Sequence, residues 1–296
     1  MGDFMRKLLF CCILFLLSGC TQQKTADKNI TIVASFYPIY ILTKNITDGV
    51  ENVTLENMAQ PQTGCLHDYQ LTTKDRKILE KADLFFINGV GMESFLEGVK
   101  RQYQDLPIID TSEGVELLHS QHHHEQEEHN EEYNGHIWLY SENALKQAEN
   151  ICNALSQKDK IHAQQYYKNL ELFRQEIQNF QNQQTIKKEK VIVFHEGFDY
   201  IAKEYGFIIS EEIIVEEEQT PSAKELAEMI DHAKQQNITL FFTADDEGKK
   251  YAELLAKEVG AKVYVLNAIT SGKLEKSAYL EEMEQNKAVI QEAMGV

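Results

Sequence analysis

Three histidines fall where a bound ion could be held. His67 lies in GCLHDYQLTT, His136 in GHIWLY, and His195 directly follows the apolar run VIVF. Neutral imidazole is a borderline-soft ligand suited to zinc and its neighbours, and three imidazoles with one further group complete a tetrahedron. His136 itself lies in SQHHHEQEEHNEEYNGHIW, residues 120–138, which holds five histidines among glutamates and almost nothing apolar until its end. Such a run reads as a solvated linker, a metal-collecting arm, or part of a site that closes elsewhere in the chain. Taken singly, each of the three histidines is equally an ordinary polar residue at a strand end. His162 and His232 fall on helical patterns beside charged residues and are assigned to the solvated surface.

The elements around the trio decide whether it is a set. From Asn29 the chain alternates short β-branched runs with helical patterns: ITIVASF, VENVTLENM, LFFING and LPIID read as strands, with helices over 37–48, 72–82 and 92–104. Thr72 and Asp75 form a capping-box pattern at the start of the second helix. A helical tract follows from Ser141, the expected N-cap, to about Lys188, broken near Lys158-Asp159. In its second part Ile161, Tyr166, Leu170, Phe173, Ile177 and Phe180 form an apolar stripe on a helix of about 25 residues, roughly 38 Å long. The alternation then resumes with VIVF, FIISEEIIV, ITLFFTA and KVYVL and helices near 197–205, 222–235, 247–258 and 277–293. Alternating strands and helices imply parallel sheets with right-handed crossovers, and ligands in such sheets bind beyond the carboxyl ends of the strands. All three histidines occupy such places, in two facing lobes.

The N-terminus bears on the compartment. Arg6 and Lys7 precede an apolar run, Leu8 to Leu17, that ends in LSGC. About ten apolar residues are too few to span a bilayer, which takes roughly 20, so the segment reads as a cleaved signal. Ser18-Gly19 before Cys20 forms a lipobox, with Cys20 the lipidated first residue of the mature chain. Of five cysteines, only Cys65 and Cys152 then remain in the mature domain, enough for one disulfide and no disulfide scaffold. A net charge of −18 argues against nucleic acid and favours cations as partners.

The blocks CLHDYQLTTKDRKILEKADLFFINGVGMESFLE, GHIWLYSENA, VIVFHEGFDYIAKEYGF and TPSAKELAEMI resemble those of the zinc and manganese solute-binding lipoproteins of ABC importers, the ZnuA/TroA group. The resemblance covers nearly the whole chain from Asn29 and keeps the block order. It implies an α/β fold of two Rossmann-like lobes with mainly parallel four-stranded sheets, joined by a long backbone helix, with one metal in the interlobe cleft. His67, His136 and His195 fall on three ligand positions of the group, and histidine at 195, where manganese carriers have glutamate, points to Zn²⁺. The arm 119–134, with His119, His122, His123, His124 and His129, is then a zinc collector. At the fourth ligand position the chain departs from the pattern. Asn267 replaces the usual aspartate, and Ala244 replaces another usual acid, with Asp245 and Asp246 next to it. Asp245 or water leads; Cys65, Asp246 and Asn267 are the other candidates.

The domains expected are a signal peptide 1–19, a lipidated tether 20–28, an N-terminal lobe 29–140 including the arm, a helical connection 141–188 and a C-terminal lobe 189–296. The expected protein is a monomer anchored by lipid to the outer face of the cytoplasmic membrane. It would carry Zn²⁺ to a cognate permease and its ATPase. Manganese carriage within the same group and surface adhesion are the alternatives. A zinc hydrolase is disfavoured: Glu196 follows His195, but no H-E-x-x-H pattern or nucleophile elbow occurs.

Overall fold

The structure, a computed structural model, describes residues 29–59, 66, 69–120, 133–182, 188–213, 222–244 and 246–296. The signal, Cys20, the tether, Cys65, His67, Asp245 and the arm histidines 122–124 and 129 lie outside the described residues. Among the described residues no helix is long and apolar enough to cross a membrane.

The first sheet is built from β1 (Ile30–Ala34), β2 (Val53–Asn57), β3 (Leu84–Ile87) and β4 (Ile108–Asp110) in the order β2-β1-β3-β4. Every pairing is parallel, and α1 (Tyr37–Thr47), α2 (Thr73–Leu79) and α3 (Leu96–Gln102) supply the crossovers. β3 reads LFFI and all four residues are buried, as expected of a central strand covered on both faces. The predicted capping box on α2 is formed: Thr72 Oγ1 accepts from Asp75 N–H, and the Asp75 carboxylate accepts from Thr72 N–H.

The connection is a helical hairpin, broken at Lys158-Asp159 as expected. α4 (Ser141–Lys158) and α5 (Ala163–Gln181) run antiparallel, with contacts pairing Ser141 with Gln181, Glu149 with Arg174 and Asn153 with Tyr167. α5 has 19 residues, hence a length of about 28 Å, shorter than the sequence suggested. Asp159 sets the later start, because its Oδ1 accepts the Ile161 and His162 N–H groups ahead of the helix. Ile161 therefore precedes the helix and is 61% exposed, while Tyr166, Leu170, Phe173, Ile177 and Phe180 are buried as expected. Ser141 is the first helical residue, not the cap; its N–H is taken at 2.7 Å by the Glu204 carboxylate from the other lobe.

The second sheet, β5 (Lys190–Phe194), β6 (Ile208–Glu212), β7 (Leu240–Thr243) and β8 (Lys262–Val265), repeats the first in the order β6-β5-β7-β8, again wholly parallel. α6 (Phe198–Tyr205), α7 (Ala223–Gln236), α8 (Asp246–Val259) and α9 (Ala278–Met294) complete it. One apolar cluster joins β1 and α1 through the hairpin to β5, α6 and α9. α5 binds both sides: Asn169 donates to the Ile46 and Asp48 carbonyls, and Phe173 meets Tyr279 edge-on at 6.0 Å. The lobes thus share a core along the hairpin, which leaves their strand ends to form the cleft. Cys152 lies in that core as a buried free thiol.

Candidate metal centre

Each sheet reverses its winding between its two central strands, β1 and β3 in one, β5 and β7 in the other, and the crevice at such a switch point is where open α/β sheets bind ligands. His195 is the first residue after β5, so the topology itself delivers it to the second lobe's crevice. His136 arrives from the strap between β4 and α4. The two rings pack edge to face with centroids 5.1 Å apart. His136 is fully buried and lies beside Trp138, while His195 is partly exposed and packs on Phe198.

Close approach of the two histidines depends on Gly197. A Cβ there would lie 2.8 Å from His136 Cγ and 2.8 Å from Leu139 Cδ1, below any real contact. Gly197 N–H donates to His195 Nδ1 at 2.9 Å, so this one residue serves both rings.

From the first lobe, a buried network supports His136. Glu93 accepts from Ser35 Oγ–H and from the Asn88 and Gly89 N–H groups, and Asn88 Nδ2 in turn donates to the Gly135 carbonyl. Burial outweighs these bonds and pushes the Glu93 carboxyl up to about 7. From its own strap His136 is held by Asn134, whose Oδ1 accepts from His136 N–H and Nδ1–H at 3.0 and 2.9 Å.

The second lobe contributes charge. Burial first, then the neighbouring Glu196, pushes Asp199 up to about 6, while an Asn134 hydrogen bond and His136 oppose the rise. Glu212, at the carboxyl end of β6 opposite Val193, has both carboxylate oxygens shut off from water. Burial, then Asp199 and Glu196, raises it to about 9. Like charges gathered beside two imidazoles oppose one another's ionisation, and a dication among them relieves that opposition. Asp199 and Glu212 were not singled out from sequence.

The two ends of the polar run pack into the fold. His119 and Tyr133 form an isolated antiparallel bridge with their rings 4.8 Å apart, and Asn134 is fully buried. Tyr200 clamps the strap, accepting from Leu118 N–H and donating to the Asn134 carbonyl; Ser120 Oγ–H donates to Glu196, and Lys203 pairs with Glu116.

Of the fourth-ligand candidates, Asp245 and Cys65 lie outside the described residues, and Asp246 opens α8 with only its backbone described. Asn267 closes a turn: Oδ1 accepts from Ile269 N–H and Nδ2 donates to Glu282. Among the described residues no three His, Cys, Asp or Glu side chains converge at ligand distance. His162 occupies the N-cap position of α5 and contacts Asp159, and His232 on α7 contacts Ser210 of β6.

The two like lobes, the shared helical support and the imidazole-lined crevice define a bilobal solute-binding protein. A family profile described as ZnuA, zinc-uptake complex component A, periplasmic, matches residues 32–293, and the chain belongs to that family. It is 27% identical over 292 residues to the zinc-binding lipoprotein AdcA of Streptococcus pneumoniae R6, covering 93% of this chain but only 58% of that protein. It is also 27% identical over 308 residues to the high-affinity zinc uptake system protein ZnuA of Bacillus subtilis 168, covering 94% of each. A Zn(II)-bound variant of AdcAII of S. pneumoniae superposes with a TM-score of 0.76 at 25% identity, covering 90% of this chain and 99% of that one.

Proposed function

We propose that the protein captures Zn²⁺ outside the cytoplasmic membrane and delivers it to an ABC-type importer, working with a permease and its ATPase and catalysing no reaction. The observation that carries this reading is the pair His136 and His195, brought by separate lobes to 5.1 Å in a crevice also reached by the field of Glu196, Asp199 and Glu212. Family membership and the zinc named for the relatives supply the cargo. His67 is the third ligand in this reading, and Asp245 or water the fourth. Imidazole at 195 favours zinc over harder manganese. Cys20 carries the lipid that holds the mature chain to the outer face of the membrane, and the histidines of the run 119–134 collect zinc at its mouth.

The test is a competitive titration of the mature chain lacking residues 121–132, Zn²⁺ against Mn²⁺, with metal content read by mass spectrometry. One tightly held zinc with weak manganese competition supports the cleft. Absence of tight zinc transfers the binding to the deleted run and overturns the assignment of His67, His136 and His195.

A further inference from the structure

Asn134 uses every polar atom it has. Its N–H donates to the Leu118 carbonyl, its own carbonyl accepts from Tyr200 Oη–H, Nδ2 donates to the Glu196 carbonyl at 2.7 Å, and Oδ1 faces His136. These partners settle which amide atom is which. The Glu196 carbonyl can only accept, so the atom beside it is Nδ2; the His136 N–H can only donate, so the atom beside it is Oδ1. A carbonyl oxygen that faces His136 Nδ1 at 2.9 Å must accept a proton from it.

We infer that Asn134 is the positioning residue of the centre, holding His136 as the Nδ1–H tautomer so that Nε2 presents its lone pair to the metal. The inference deepens the zinc-binding reading above and rests on it. The same side chain ties that ligand to the backbone of Glu196, next to His195, across 62 residues of sequence. One amide therefore sets both the ring state of the first-lobe histidine and its distance from the second-lobe histidine. His195 differs: its Nδ1 accepts from Gly197 N–H, so in the neutral ring the proton sits on Nε2 and must move before that nitrogen can ligate. Outer partners that fix the tautomer and orientation of a ligating histidine typically contribute roughly 10–100-fold in metal affinity.

The test uses the mature chain with Asn134→Leu, which keeps the shape but removes acceptor and donor alike, Asn134→Asp, which keeps the acceptor but removes the donor to Glu196 and Asp199, and His136→Ala as control. Zinc affinity is read by competition with a chromophoric chelator, and the imidazole tautomer by long-range ¹H–¹⁵N spectra of the metal-free protein. The expected result is a loss of roughly 10–100-fold for Asn134→Leu with a shift of His136 toward Nε2–H. Asn134→Asp should bind zinc near the wild-type level despite a lower melting temperature. Equal losses in both variants, or wild-type binding by Asn134→Leu, would overturn the positioning role while the loss in His136→Ala leaves the zinc centre standing. Full binding by His136→Ala would instead remove the centre and the inference together. Should Asn134→Leu not fold, the wild-type spectrum decides alone: a His136 proton on Nε2 contradicts the proposal.

Discussion

The two lobes share one strand order yet treat buried acids in opposite ways. At the first lobe's switch point Glu93 is met by three donors, Ser35, Asn88 and Gly89, and becomes a brace for the loop behind His136. In the second lobe, Glu212 and Asp199 have Glu196 and one another as charged neighbours, and burial first, then those neighbours, raises both carboxyls. The same topology thus yields a lobe that positions and a lobe that attracts. The difference lies in the neighbours: N–H and O–H donors gather on Glu93, whereas further carboxylates stand near Asp199 and Glu212.

The largest effect that could break this contrast is loss of a ligand. His195→Ala and His136→Ala should each weaken zinc by about a hundredfold or more, since in the proposed centre each ring supplies a coordinate bond. A chelator competition in which only one of them matters would mean that the centre belongs to a single lobe. Gly197→Ala should come next, at roughly tenfold, because its Cβ would drive His136 from its place 2.8 Å away.

The electrostatic half of the comparison predicts a pH dependence. Glu93, Asp199 and Glu212 have folded pKa values raised from 4.5, 3.8 and 4.5 to about 7, 6 and 9. The native state therefore binds more protons than the unfolded chain, and metal-free stability should fall as pH rises from about 4 to 9. Glu212→Gln should flatten the alkaline part of that fall in melting temperature. Saturating zinc should offset it in the wild type; an unchanged slope in the variant would deny Glu212 its part. The smallest effect is expected at the clamp. Tyr200→Phe loses the partner of Leu118 N–H and of the Asn134 carbonyl and should cost about 1–3 kcal/mol by denaturant titration.

Local patterns carried most of the fold. The β-branched runs, the Thr72 capping box and the buried stripe of α5 are set by neighbours within a few residues, and both sheets formed where those signals lay. The break at Lys158-Asp159 was legible, but α5 starts later than its stripe because Asp159 acts through its contacts with Ile161, His162 and Tyr166, which the stripe does not reveal. Ser141 failed as a cap for a similar reason: its N–H is satisfied by Glu204, 63 residues away.

At the site, imidazole chemistry together with places near strand ends in two lobes marked His136 and His195 as candidate ligands. Types could not mark Asn134, which read as the last residue of a solvated run, nor Glu212, which read as one acid among many. By itself the sequence determined an α/β chain with parallel strands and histidines at strand ends, since hydrophobic period and side-chain chemistry are local properties. Only the tertiary structure decided that Asn134 spans the cleft, that Gly197 admits the two rings together, and that three acids share one field. Those are relations between residues distant in sequence, and burial alone gives them their energy.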